Sequence, residues 1–174
     1  MAVSVTLFNN IFDNKTDKVT GFETFSQFEE ALYHLSTQKR KGKKDATLIS
    51  PAVYRHNSTR SNDNVVAWSS WCAVDVDDHE FKGDLQSELS ERFGGYYFCC
   101  YSTASSKDNQ PKFRLVFPLK CEVEASKIKH FWHALNTELG QLADRQTKDL
   151  SRMYYIPGCY DGANNFIFTN IGDT

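Results

Sequence analysis

No apolar run in this 174-residue chain approaches the roughly 20 residues needed to span a bilayer, so no membrane partner is expected. No secretory leader is expected from its opening residues, and no internal repeat is visible. Proline is scarce, at four residues, and no Pro- or Gly-rich linker divides the sequence. One domain, or one domain built from two small modules, is therefore expected. Strong charge of either sign is missing as well. The net charge of −2 excludes blanket binding to polyanions and leaves only local basic patches for nucleic acid. The five cysteines, at 72, 99, 100, 121 and 159, show neither paired metal spacing nor a disulfide framework. They read as small hydrophobes in a reducing compartment, which implies a cytoplasmic location. Aromatics are plentiful: thirteen Phe, eight Tyr and three Trp supply the bulk of a sizeable core.

Val3 to Phe8 alternates as a strand should. Thr24 followed by Gln27 has the spacing of a capping box, and Phe25, Phe28, Leu32 and Leu35 predict an amphipathic helix over 24–36. Ala46 to Tyr54 reads as a strand interrupted by Pro51, and residues 56–64 as an exposed polar loop. From Trp71 the succession becomes regular. A strand ends at Asp77, and a helix capped by Asp84 carries Leu85, Leu89 and Phe93 up to Gly94-Gly95. Strands follow at 96–101 and around Phe113, Leu115 and Phe117. A helix bearing Ile128, Phe131, Trp132, Leu135 and Leu139 stops at Gly140, and a strand covers 152–156. This strand-helix-strand-strand-helix-strand order is that of the ferredoxin-like, or RNA-recognition-motif (RRM)-like, unit. The fold class expected is α+β: an antiparallel βαββαβ unit over residues 71–174 packed with an N-terminal α/β module over 1–70. In the usual topology the first strand is central, which would place its acids mid-sheet on the open face.

Those acids carry the chemistry. Along Trp71 to Asp78, the carboxylates of Asp75 and Asp77 point to one side of a strand and Cys72, Val74 and Val76 to the other. Two extended residues hold the acids ~7 Å apart at Cα. Like charges that close raise each other's pKa unless a cation lies between them, and a divalent ion that also takes phosphate oxygens is the natural occupant. Lys112 and Arg114 share one face of their strand, and Arg presents a bidentate fork to phosphate. Ser102 and Thr103 offer hydroxyls and backbone N–H groups nearby in the same unit. Asp144 and Arg152 would bring a third carboxylate and a second arginine. Three acids and two arginines on one face suit two-metal phosphoryl transfer. The basic run Lys39, Arg40, Lys41, Lys43 and Lys44, together with Arg60, is the candidate phosphate-tracking patch for nucleic acid.

Taken together, Val74-Asp75-Val76-Asp77, Lys112-Phe113-Arg114-Leu115-Val116-Phe117 and the stretch from Asp144 through Asp149 and Arg152 to Gly158 resemble the three motifs of the archaeo-eukaryotic primase superfamily. The likeness is to the primase-polymerases of plasmids, phages and mobile elements, and it covers roughly residues 60–160. It implies a DNA primase-polymerase catalytic domain: metal-dependent, template-directed nucleotidyl transfer on single-stranded DNA. Asp75, Asp77 and Asp144 would bind Mg²⁺ or Mn²⁺, and Ser102, Thr103, Lys112, Arg114 and Arg152 the incoming NTP or dNTP. A helicase or other replication proteins are the implied partners. One departure stands out, because the family's second motif usually ends in histidine and this chain has Arg114. Arginine binds triphosphate but does not titrate near neutral pH.

Two other readings fit parts of the sequence. A rolling-circle initiator would nick DNA with Tyr154 or Tyr155, but it needs a His-x-His strand, and the chain offers only His130 and His133 on a predicted helix. A non-catalytic nucleotide- or single-strand-binding module would stack bases on aromatic strands such as 96–101.

Overall fold

Capping and alternation set most of the local structure. The computed structural model describes residues 1–173. The chain runs through β1 (Val3–Phe8), β2 (Val19–Phe22), α1 (Phe25–Ser36), β3 (Lys39–Arg40), β4 (Leu48–Ser50), β5 (Ala52–Tyr54) and β6 (Val65–Trp68). It continues through β7 (Trp71–Val76), α2 (Leu85–Phe93), β8 (Phe98–Ser102), β9 (Phe113–Pro118) and β10 (Val123–Glu124). Then come α3 (Ile128–Glu138), β11 (Tyr154–Tyr155), β12 (Cys159–Tyr160) and β13 (Ile167–Asn170). Thr24 caps α1 as expected, its Oγ1 accepting from the Gln27 N–H at 3.3 Å. The Gln27 side chain reaches back one residue further than a capping box requires, accepting from the Glu23 N–H at 2.9 Å. Asp84 caps α2 by accepting from the Ser87 N–H at 3.1 Å.

The fold is α+β with antiparallel main sheets, as the sequence predicts. The larger sheet has the order β13-β8-β9-β7, and a second four-stranded sheet has the order β11-β4-β1-β2. A three-stranded sheet, β10-β6-β5, and a parallel pair, β12-β3, complete it. One face of the larger sheet packs Cys72, Val74, Val76, Leu115 and Phe117 against Leu89 and Phe93 of α2 and Ile128 and Trp132 of α3. The opposite face presents Trp71, Ala73, Cys99, Tyr101 and Val116 to Val5, Phe28, Leu32 and Ile49 of the N-terminal segment.

Two expectations change here. The first strand of the unit, β7, is not central, because it pairs only with β9 and forms one edge of its sheet. Its other side is met by single hydrogen bonds without strand pairing. The Asp144 N–H donates to the Asp75 carbonyl at 2.7 Å, and the Tyr154 hydroxyl donates to the Ala73 carbonyl at 2.8 Å. The strand expected there is shortened to Tyr154–Tyr155 and pairs with β4 instead. The second change concerns the face expected to be open. The N-terminal sheet covers it, so Asp75 is only 5 % exposed. The interruption expected at Pro51 within 46–54 is present, because proline cannot donate to a ladder. The two halves, β4 and β5, join different sheets.

Candidate active site

Register builds the centre of the site. Asp75 on β7 lies directly opposite Arg114 on β9, and Arg114 lies opposite Tyr101 on β8. A row of acid, cation and phenol therefore crosses three strands on one face. The Arg114 Nε donates to Asp75 Oδ1, and its Nη1 donates to the Tyr101 hydroxyl at 3.2 Å and to the Tyr155 carbonyl at 2.7 Å. The guanidinium also sits 5.4 Å from the Tyr101 ring centre and 5.0 Å from that of Tyr154. Burial disfavours its charge, but Asp75 and Tyr101 outweigh that and hold Arg114 above its ordinary value, a fixed cation. Arg152 approaches the other carboxylate oxygen, with Nη2 at 3.4 Å from Asp75 Oδ2. Its own carbonyl is tied to β4 through the Ser50 hydroxyl at 2.8 Å.

Asp77 lies just past the strand end and is half-buried. Burial, and then the neighbouring Asp75 charge, push its carboxyl above the usual range; Asp144 adds to the rise, while Lys112 and Arg114 oppose it. A cation delivered to Asp77 would relieve that cost.

These groups open onto a cavity of about 390 Å³, within the range of small-molecule sites. Asp75, Asp77, Ser102, Thr103, Lys112, Arg114 and Arg152 all line it, as does Lys43 from the basic run and Arg60 from the polar loop. Five cations face three carboxylates (Asp149 is the third), so the lining carries a positive surplus suited to an anionic ligand. Thr103 Oγ1 is buried with no hydrogen-bond partner. A buried orphan hydroxyl in a cavity wall is what a ligand oxygen would satisfy. The wall it stands on is well fixed. The Thr103 N–H donates to the Lys112 carbonyl at 2.9 Å, and the buried Ser106 hydroxyl accepts from the Lys112 N–H at 3.1 Å. The Ser102 hydroxyl is already engaged, accepting from the Phe166 N–H at 2.8 Å and donating to its carbonyl at 3.2 Å.

Other expected residues stand apart from this lining. Asp144 reaches the site through its backbone bond to Asp75 and through its charge beside Asp77, without lining the cavity. Lys39 and Arg40 form β3 against β12, and the Arg40 Nη1 donates to the Asp45 carbonyl at 3.0 Å. The Lys41 N–H donates to Asp45 Oδ2 at 2.9 Å, and neither Lys41 nor Lys44 lines the cavity. The sequence reading missed Ile11, Tyr155 and Tyr160 in the lining. Loop and short-strand residues like these carry no periodic signal. Tyr101 could have been found, since alternation along β8 places it on the face opposite Cys100.

The donor set can be weighed against a metal. Among the described residues, no three His, Cys, Asp or Glu side chains gather into a group that could hold an ion. Mg²⁺ bound with nucleotide needs only one or two carboxylates, the rest of its shell being phosphate and water. Asp75 and Asp77 supply that number of carboxylates, so the donor chemistry suits such an ion, with Asp75 Oδ2 engaged by Arg152 at 3.4 Å. Tyr154 is buried, with its hydroxyl committed to Ala73, which disfavours it as a DNA-nicking nucleophile.

No curated protein matches the chain. Among solved structures, the AEP domain of the cyanophage S-2L primase-polymerase is similar at 13% identity and a TM-score of 0.49, over 99% of this chain and 82% of that one. No helix among the described residues is long and apolar enough to cross a membrane. The sequence model of the VapE N-terminal domain matches residues 6–173, and the chain belongs to that family.

Proposed function

We propose that this domain is a primase-polymerase-type nucleotidyl transferase that holds a nucleoside triphosphate in the cavity beside Asp75 and Asp77. One observation carries the reading. Three segments far apart in sequence, at 75–77, 112–114 and 149–152, open onto one cavity whose lining has surplus positive charge and an orphan hydroxyl.

Lys112 and Arg152 would neutralise the triphosphate, and the Thr103 hydroxyl would donate to one of its oxygens. Arg114 is a positioning residue: with Nε and Nη1 spent inside the protein, it fixes the Asp75 carboxylate rather than reaching for phosphate. Asp77 and Asp75 would hold Mg²⁺ or Mn²⁺, with the Asp144 charge in support. A bound divalent ion would supply charge neutralisation at the phosphates and a lowered pKa for the attacking hydroxyl. Single-stranded DNA is the proposed template, and NTPs or dNTPs the substrates.

Primer synthesis on single-stranded DNA with labelled nucleotides tests this, with Asp77→Ala alongside. Product in the wild type that is lost in the variant is the expected result. Product that persists in the variant overturns the assignment of the acid pair.

A second reading has its own support, because both oxygens of Asp75 are engaged by arginines. On that reading the domain binds nucleotide without turning it over. Nucleotide binding that ignores EDTA, with no primer product, would identify it.

A further inference from the structure

Among the described residues, Phe12 is the most exposed large hydrophobic, at 87%. The other exposed aromatics have a polar anchor: the Tyr33 hydroxyl bonds Thr169 Oγ1 at 2.8 Å, and the Tyr96 hydroxyl donates to Glu138 at 2.9 Å. Phe12 has none, and yet its loop is rigidly built. The Phe12 N–H donates to Asn10 Oδ1 at 2.9 Å, and the Asp13 carboxylate accepts from the N–H groups of Asn9 at 2.9 Å and Lys15 at 3.0 Å. Arg60 clamps the same loop from the other side, its Nη2 donating to the Ile11 carbonyl at 3.3 Å and its Nε to the Asp13 carbonyl at 3.4 Å.

The loop belongs to the rim of the cavity. Ile11 is 45% exposed and, with Arg60 and Lys43, lines the opening. On the outer side Lys18 leans on Asn9 Oδ1 at 3.0 Å. The Asp13 carboxylate lies in the field of Lys15 and Lys18, while Lys43 and Arg60 line the opening on the cavity side of the loop.

An exposed aromatic side chain on a hydrogen-bonded loop, beside cations at the mouth of an anion-suited cavity, matches the requirements of one partner class. Single-stranded nucleic acid presents bases that stack on aromatic rings and phosphates that follow positive charge. Because the loop is ordered in advance, little conformational entropy is lost on contact. We infer that Phe12 is a stacking platform for a base of a single strand crossing the cavity mouth, with Lys43 on its phosphates and Arg60 fixing the loop that carries the ring. The inference rests on the cavity being the nucleotide site, because the strand is placed to run past it.

The test uses the full chain, fluorescence anisotropy and two labelled probes: an oligothymidylate and a strand of equal length bearing abasic sites. Phe12→Ala should weaken binding of the oligothymidylate by about 5- to 100-fold and leave the abasic strand unchanged. Phe12→Trp should keep the affinity, and its emission should be quenched by the oligothymidylate. Equal binding of the oligothymidylate by Phe12→Ala and the wild type overturns the inference, as does an equal loss on both strands. So does self-association of the wild type that Phe12→Ala abolishes with strand binding untouched, since the platform would then be an interface between copies. ATP binding measured by calorimetry on the same proteins separates the two readings. If the wild type binds no ATP while the Phe12 effect persists, the cavity assignment fails and the platform stands.

Discussion

Replacing Arg114 by methionine tests the centre of the site most severely. The change keeps an apolar stem of similar reach and removes only the guanidinium. Asp75 would then be a carboxylate with a 7% exposed side chain, facing Arg152 alone across a 3.4 Å contact. Removing one partner of a buried ion pair costs about 3–5 kcal/mol, because the other charge is left uncompensated. The Tyr155 carbonyl loses its 2.7 Å donor too, and the Tyr101 hydroxyl a 3.2 Å partner, although such losses within one network do not simply add. The residual pull of Arg152 offsets some of this, so about 3 kcal/mol is the working figure. For a chain of this size that corresponds to a fall in Tm of about 6–12 °C. Trp68, Trp71 and Trp132 are all buried, so tryptophan fluorescence during urea or thermal unfolding reports the transition directly. The double variant Asp75→Leu/Arg114→Met should recover most of the loss, because it leaves no unpaired charge. A loss below about 1 kcal/mol in Arg114→Met, or a double variant as damaged as the two single changes combined, would refute the reasoning.

Asp77 gives a pH signature. Its carboxyl is raised in the folded protein, so its ionised form opposes folding, and the penalty grows as pH rises through the raised value. Asp77→Asn should therefore raise Tm at pH 7, with the gain vanishing below about pH 4, as thermal melts across pH will show. Thr103→Val removes a buried orphan hydroxyl, so stability should hold or rise by about 1 kcal/mol in melts while calorimetric nucleotide affinity falls. Cys72, Cys99 and Cys100 are buried, with burial pushing the Cys72 and Cys99 thiols up to about 12. A thiol reagent should therefore label Cys121 and Cys159 in the native protein and all five after denaturation.

What could be read from the sequence was local. Thr24 and Asp84 announced their helices because capping depends on neighbours three residues away. Alternation around Phe113, Leu115 and Phe117 put Arg114 on the face away from the helices, and the same logic put Asp75 on its face of β7. Pairing and coverage depend on residues far along the chain, and there the sequence was opaque. Val19–Phe22 shows almost no buried positions and contains a glycine, so β2 had no alternating signal. The four-residue β6 follows a polar loop and is too short for its buried Val65, Ala67 and Trp68 to stand out as a strand. Nothing in Tyr154-Tyr155 says that it pairs with β4 rather than β7, and that choice carries Arg152 to Asp75 from the second sheet. Lys43 and Arg60 reach the cavity from irregular segments, where position follows from tertiary anchoring alone.

The return of β11 to β4, and of β12 to β3, means that the two halves of the chain complete each other's sheets. Neither half holds a whole wall of the cavity, so a cut near position 70 would leave two fragments, each with unpaired strand edges and no binding site. Contacts of such long sequence separation form late and slowly. During synthesis the N-terminal strands must wait, with their edges exposed, until about a hundred further residues have emerged, so the nascent chain is most prone to aggregate before its site exists.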